Sequence, residues 1–522
     1  MEQSEVITAP LPEPDLKKRI TSFVQALFTL LVAYGLIYAL YGVFEYNGYP
    51  LLFYLGVCAL FALTIICGLI AGGKLNVHAV VALLFGLVAG SFSWINGGIS
   101  LMGFAYLNVT VLSYAYFTLS LFGNQNTVFS GGVLLLDLIK ATFVYPFLSF
   151  AALFTALFQR SKGSRKFGRG VLFVFLGIVI ALVLGAIAVG LLSYDPKFKA
   201  IFTFDWDWDE FPNVLLRVIF TVPAAALLFG AFTSSREKKL PKFSTPEQAH
   251  AIGTRMQKIP AVVLMIPAAA LLVIYGLFFF TQWETYMCAF SGVLPASCTA
   301  AEYARSGFFE LCAVAAINAA LGVVLSLLMK QTAKVSIVLK KVANTLLALA
   351  TLILIATALS KMFLYIKRFD LTVARLIAST ILVLIAIGYL VALLAQWIKK
   401  IKVMPVLIVC VGALLLAVPF LNVRGRIAKY NVDQYLLRAE QQVADNSIDI
   451  DYLLYDLGSA STEDALRLYE SDKLSVLAGE PARLRNGLKE RWEMLKSRSP
   501  IDRSLADVKA LHALEEAFGT QP

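Results

Sequence analysis

Apolar stretches long enough to cross a lipid bilayer recur along almost the whole chain. They lie near residues 24–45, 50–72, 76–95, 99–121, 131–157, 170–192, 212–233, 259–281, 306–329, 342–363, 374–397 and 403–422. A helical span takes about 20 apolar residues. Across so many lipid-facing segments of this length, only helices satisfy the backbone polar groups. The predicted fold class is therefore all-α: a polytopic transmembrane helix bundle. Composition agrees, with 59% hydrophobic and 15% charged residues in 522. That excludes an ordinary soluble enzyme, a disordered chain and a coiled coil.

Charge sets the expected orientation. Lys17, Lys18 and Arg19 place the N-terminus in the cytoplasm. If every run crossed, Arg160, Lys162, Arg165, Lys166 and Arg169 would lie outside, against the positive-inside rule. The 131–157 run holds Asp137, Lys140 and Pro146 and follows Asn124-Gln125-Asn126, so it reads as an interfacial or re-entrant helical pair on the cytoplasmic side. About eleven crossings then remain. Inside segments hold 22 Lys and Arg, whereas outside loops hold seven: Lys197, Lys199, Arg305, Lys361, Lys367, Arg368 and Arg375. The expected address is a cytoplasmic (inner) membrane, with the N-terminus inside and the C-terminus outside. The run after Arg19 lacks a cleavage site and reads as a retained span, not a signal peptide.

The domain reading follows: 1–23 a cytoplasmic segment, 24–130 four transmembrane helices, 131–169 the interfacial or re-entrant segment, 170–422 seven more spans, and 423–522 a small extracytoplasmic helical domain. From Arg424 onward the chain holds 14 basic and 17 acidic residues, so the net charge of +11 comes from the short loops between spans. That pattern faces anionic headgroups, not nucleic acid. Apolar residues recur at helical spacing in this last part, at Ile427, Tyr430, Val432, Tyr435 and Leu436 and again at Leu484, Leu488, Trp492 and Leu495.

A few polar residues stand out. Glu310 lies about one turn into a span entered from outside, where a carboxylate needs a partner. Arg217 lies at similar depth in another span, and Arg305, Lys361 and Arg375 flank outer ends. Together they make a candidate outer-leaflet polar cluster, either a headgroup or ion site or an ion pair that locks helices. Asn108, Asn318 and Asn344 read as interhelical glue, and Gly68-x-x-x-Gly72 and Gly86-x-x-x-Gly90 as close-packing devices. Cys288 and Cys298 share one outer loop, where a loop-closing disulfide is expected. Asp205-Trp206-Asp207-Trp208-Asp209-Glu210 lacks the glycine and terminal glutamate of a calcium loop and reads as an interfacial anchor. Gly68-x-x-x-x-Gly73-Lys74 is followed by Leu75 where a phosphate loop needs Ser or Thr. No hydrolase triad or zinc motif is present, so neither a catalytic residue, a metal nor a cofactor is expected.

Tyr303-Ala304-Arg305 with Gly307-Phe308-Phe309-Glu310-Leu311 resembles the signature of a bacterial polytopic membrane family known only as a domain of unknown function, number forty-one seventy-three of its series. Tyr275, Leu277-Phe278, Gln282 and Tyr286 are similar to its preceding span and loop. Leu364-Tyr365, Leu371-Thr372 and Arg375 are similar to its outer turn between two spans. Ile427-Ala428, Tyr430-Asn431-Val432, Tyr435 and Asp451-Tyr452-Leu453 are similar to its entry into the C-terminal region. The resemblance covers roughly residues 170–455. Asp370 stands where the family pattern has Gly, and Asn422 with Arg424-Gly425-Arg426 where it has Asn-Pro-Asp. The resemblance implies a topology but no activity.

Because the matched motifs fall on or near the outer face, function is expected there, shared by the outer ends of the middle spans and the C-terminal domain. The expected role is a non-enzymatic envelope sensor, scaffold or lipid/solute handler. Its partners would be membrane lipids and envelope proteins bound through residues 424–522, with no nucleic acid. A secondary transporter is the alternative, for which Pro223 and Pro267 permit broken helices. A polytopic lipid-linked glycosyl transferase is weaker, since the first outer loop runs only from Glu45 to Pro50.

Overall fold

The computed structural model describes residues 16–44, 49–97, 101–126, 131–158, 211–237, 257–281, 283, 308–330, 334–398, 401, 403–442, 446–471, 473–476 and 480–519. Among these, every extended element is a helix, and nine helices are long and apolar enough to cross a membrane. The protein is an all-α polytopic membrane bundle. The 170–192 run lies outside the described residues. The helices divide into two compact units.

The first unit contains α1 (Leu16–Phe44), α2 (Pro50–Ile70), α3 (Val77–Asn96), α4 (Leu101–Leu121) and α8 (Phe211–Arg236). Between the last two lie most of α5 (Gly131–Ile139), a π-turn (Lys140–Val144), α6 (Tyr145–Leu148) and α7 (Ala152–Phe158). Its ends are built locally. Pro50 occupies the first turn of α2, where a missing N–H does no harm. The Asn76 side chain caps α3 by accepting from Ala79 N at 2.9 Å, and its amide donates to Ser120 O at 2.6 Å. One side chain thus starts a helix and ties that start to the end of α4. The core packs Phe53, Val57, Leu60 and Phe61 against Ala79, Ala82, Tyr114 and Phe117. Gly86 makes this possible, since a Cβ there would sit 2.3 Å from the Phe61 ring.

Segments Leu134–Leu148 and Ala152–Phe158 meet at 40°, the geometry of a broken span or of a re-entrant pair. Leu135, Leu136, Phe143 and Phe147 are exposed, as lipid-facing side chains would be, whereas Asp137 is buried. Close backbone approach seats this segment on α8. A Cβ at Gly230 would lie 2.3 Å from Pro146 O, and Ser234 Oγ donates to Tyr145 O at 2.7 Å.

The second unit contains α9 (Ala261–Thr281), α10 (Phe308–Leu328), α11 (Lys334–Phe369), α12 (Val373–Trp397) and α13 (Val403–Ala417). Ile259 and Met329 pair through their backbones, so α9 begins beside the end of α10. The Asn318 amide joins three helices: Tyr275 OH donates to its Oδ1 at 2.6 Å, and its Nδ2 donates to Thr351 Oγ1 at 2.8 Å. Asn344 reaches Ser326 across the α10–α11 pair at 3.4 Å. Both amides hold helices together, whereas Asn108, among the described residues, bonds within its own helix, to Phe104 O.

The chain after α13 changes character without a break. Asn422 adopts φ 43° and caps α14 (Val423–Glu440) through Gly425 N. A π-turn (Tyr452–Asp456) and three more helices follow: α15 (Thr462–Glu470), α16 (Glu480–Ser497) and α17 (Leu505–Phe518). Ile427, Val432, Leu453, Leu457, Leu468, Leu484, Leu488 and Leu514 build a separate hydrophobic core. Leu371, Val373 and Leu376, from the α11–α12 connection, pack against that same core.

Candidate functional site

The α11–α12 turn is the place where the membrane helices of the second unit meet its C-terminal helices. Asp370 sits at its apex with φ 61°, a left-handed backbone that disfavours most side chains. Leu371 follows outside either helix, so its two backbone polar groups have no helical partner. Asn431 on α14 supplies both: its Oδ1 accepts from Leu371 N at 2.8 Å and its Nδ2 donates to Leu371 O at 2.9 Å. An asparagine is the residue that can do this, because its amide carries a donor and an acceptor in one plane.

Two further side chains complete the clamp. The Tyr452 hydroxyl accepts from Val373 N at 2.7 Å, satisfying an N–H in the first turn of α12 that no helix carbonyl can reach. Arg438, one turn from the end of α14, reaches Asp370 Oδ1 at 2.6 Å. Both members of this pair are largely buried, at 19% and 15% side-chain exposure. Burial raises the Asp370 carboxyl above the ordinary range even against the pull of Arg438 and Arg375.

Arg375 works from the membrane side of the same turn. Its guanidinium stacks on the Tyr365 ring at 4.2 Å and donates to the Phe369 and Asp370 carbonyls, which end α11. A cation at a helix C-terminus is favoured by the helix dipole. Behind the clamp lie two buried arginines. Arg424 is desolvated by burial, which lowers its proton affinity, while Tyr452, Asp456 and Asp507 act in the opposite sense. Arg491 donates to Thr462 Oγ1 at 2.9 Å and to the Leu454 carbonyl, and burial pushes it down to about 10. It therefore remains a cation at neutral pH, fixing the Tyr452–Asp456 turn to α15 and α16.

The sequence-based cluster divides as follows. Arg217 belongs to the first unit, where its guanidinium lies 4.5 Å from the Tyr38 ring. The Tyr38 hydroxyl also meets the Tyr49 hydroxyl at 3.2 Å. Lys361 lies on α11, and Arg375 on α12 in the clamp just described. Arg305, Cys288 and Cys298, and the side chain of Glu310, lie outside the described residues. Asn431 and Tyr452 entered the sequence reading only through the family resemblance, and Asp370 only as a departure from it. Arg438 was missed, since a lone arginine on a solvated helix carries no signal.

A second polar cluster lies in the first unit. Asp137 is 2% exposed, and Lys140 Nζ lies 3.9 Å from its carboxylate and 3.5 Å from Asn124 O. Tyr116 OH meets His78 Nδ1 at 3.2 Å. The Asn124 amide donates to the Ser235 carbonyl, which joins this end of α4 to the end of α8. In the sequence, Asp137 and Lys140 served only to argue that their segment is interfacial.

A family model described as "Domain of unknown function (DUF4153)" matches residues 79–468. The chain belongs to this family. The match takes in every residue of the clamp, from Tyr365 to Tyr452, and ends before α16 and α17. DUF4153 is a different number from the family that the Tyr303 segment resembles, and that segment lies largely outside the described residues. Neither a curated protein nor a solved structure matches the chain.

Proposed function

We propose that this DUF4153 protein is a non-enzymatic sensor or scaffold of the bacterial cytoplasmic membrane, with its N-terminus in the cytoplasm and its C-terminal helices outside. The observation that carries this reading is the clamp. Asn431, Arg438 and Tyr452 come from the helices after α13, and each engages the α11–α12 turn directly. A contact that satisfies backbone groups on one side with side chains from the other is specific and directional. Whatever moves the C-terminal helices moves the ends of two membrane helices. The working ligand of such a device would be an envelope protein or lipid held by residues 424–522.

The runner-up is a secondary transporter. Pro223 and Pro267 lie inside spanning helices, and Asn318 forms a polar hub among three of them. Each member of that hub, however, bonds directly to another, as glue does.

The test uses the full chain with Asn431→Ala and Tyr452→Phe together, expressed in place of the native gene. On the sensor or scaffold reading the protein still inserts, though less stable, and, compared at equal amounts of protein, the proteins crosslinked to residues 424–522 are lost along with the phenotype of the intact gene. An unchanged crosslinking pattern and phenotype would remove the clamp from function. Solute counterflow in proteoliposomes that survives the double change would favour the transporter.

A further inference from the structure

The Asp137 cluster in the first unit has the parts of a proton relay. Asp137 is buried at 2% exposure on a helix whose neighbouring side chains, Leu135, Leu136 and Ile139, are exposed apolar groups. A carboxylate turned inward from a lipid-facing helix marks a functional site more often than a structural one. The π-turn at Lys140–Val144 begins within one turn of it, and such turns concentrate at functional sites.

The groups around it form a line. Tyr116, on α4, packs against the cluster that holds Ala141, one turn beyond Asp137, and Tyr145. That hydroxyl meets His78 Nδ1 at 3.2 Å. His78 is half-buried in the first turn of α3, next to the exposed Lys74 and Leu75 of the α2–α3 turn. On its own segment Asp137 faces Lys140, whose ammonium also lies 5.5 Å from the Tyr145 ring. The line thus runs from a half-buried imidazole beside the α2–α3 turn, through a phenol, to a buried acid with a tethered cation beside it.

We propose that Asp137 is a reversible proton-binding site, loaded through His78 and Tyr116 from the face that carries the α2–α3 turn. In the loading step a protonated His78 gives its Nδ1 proton to the Tyr116 oxygen while the Tyr116 O–H proton passes to the Asp137 carboxylate. His78 then regains a proton from water. The net change is one proton taken up and one carboxylate converted to a carboxylic acid. Lys140 loses its counter-charge in that state and keeps the Asn124 carbonyl and the Tyr145 ring, so the π-turn responds to loading. A permanent Asp137–Lys140 ion pair would do none of this.

The test is infrared difference spectroscopy of the full-length protein in lipid nanodiscs after an acidifying pH step. A carboxylic-acid carbonyl band is expected, lost in Asp137→Asn and displaced in Asp137→Glu. Tyr116→Phe and His78→Gln are expected to slow its appearance without abolishing it. Absence of the band in the wild type, or a band unchanged in Asp137→Asn, would overturn the proposal. If Asp137→Asn fails to fold, an undisplaced band in Asp137→Glu overturns it equally. Unaltered rates in both relay variants would remove the route through Tyr116.

Discussion

Arg438 Nη2 lies 2.6 Å from Asp370 Oδ1, and the aspartate that receives it holds a left-handed backbone with φ 61°. The two facts belong together. Glycine would adopt this conformation without strain, whereas a non-glycine residue there costs about 1–2 kcal/mol. Aspartate is among the residues that tolerate it best, and here its carboxylate provides an anchor that glycine cannot.

Replacing Asp370 should separate strain from pairing. Asp370→Ala keeps the strain and leaves Arg438 buried without its carboxylate, a loss of roughly 3–5 kcal/mol for a buried pair and less for one still partly wet. Asp370→Gly loses the pair but relieves the backbone, so it should be milder by about 1 kcal/mol. In a double-mutant cycle with Arg438→Gln, coupling should be clear in thermal unfolding of the purified protein. Equal effects of Ala and Gly would show that the left-handed backbone carries no strain.

Asn431→Ala should expose the Leu371 amide. With Asn431 gone, one half-buried donor and one half-buried acceptor lose their partners, each at less than the roughly 1–3 kcal/mol of a fully buried group. Asn431→Asp keeps the acceptor and loses the donor, so it should be intermediate. Hydrogen exchange at residues 370–376 reads this directly. Protection that persists in Asn431→Ala would mean that the turn is held by the core contacts of Leu371 and Val373 alone.

Much of the fold could be read from the sequence, and the clamp only in part. Spans announce themselves because lipid demands apolar residues over a fixed length, whatever they pack against. The α14 face was legible through Ile427, Val432 and Tyr435, which lie in the C-terminal core. The bonds between Asn431 and Leu371, 60 residues apart, have no local signature. Asp370 was visible only as an odd residue at a glycine position, and its φ supplies the reason. In the sequence the charge of Asp137 argues against lipid and so for an interface; in the structure its side chain is buried and faces Lys140.

Alkaline pH should loosen the clamp. Burial raises the Tyr452 hydroxyl above its ordinary value, with Asp456 acting in the same sense and the Val373 bond against it. A group with a raised folded value favours the folded state below its unfolded value, near 10 for tyrosine, and that advantage fades as pH rises through the folded value. Tyr430 and Tyr435 are shifted the same way. Protection of the α11–α12 turn should therefore hold through neutral pH and fall above about pH 10. Tyr452→Phe should start from a weaker clamp and show a smaller alkaline loss. An identical alkaline profile in Tyr452→Phe would place the sensitivity elsewhere.

Gly230→Ala should disturb the first unit more than a single methyl suggests. The added Cβ would lie 2.3 Å from the backbone oxygen of Pro146, and backbone cannot swing aside as a side-chain tip does. Overpacking of this kind costs typically about 1–3 kcal/mol. The displacement would act on the stretch where Ser234 Oγ lies 2.7 Å from Tyr145 O and 2.8 Å from Ser149 Oγ. At Gly86 the three atoms nearest an added Cβ belong to the Phe61 ring, a side chain rather than backbone, and Gly86→Ala should cost less. Thermal unfolding of the two variants side by side tests the ranking. The opposite order would mean that α6 and α8 can separate freely, and that the Asp137 segment is not anchored through Pro146.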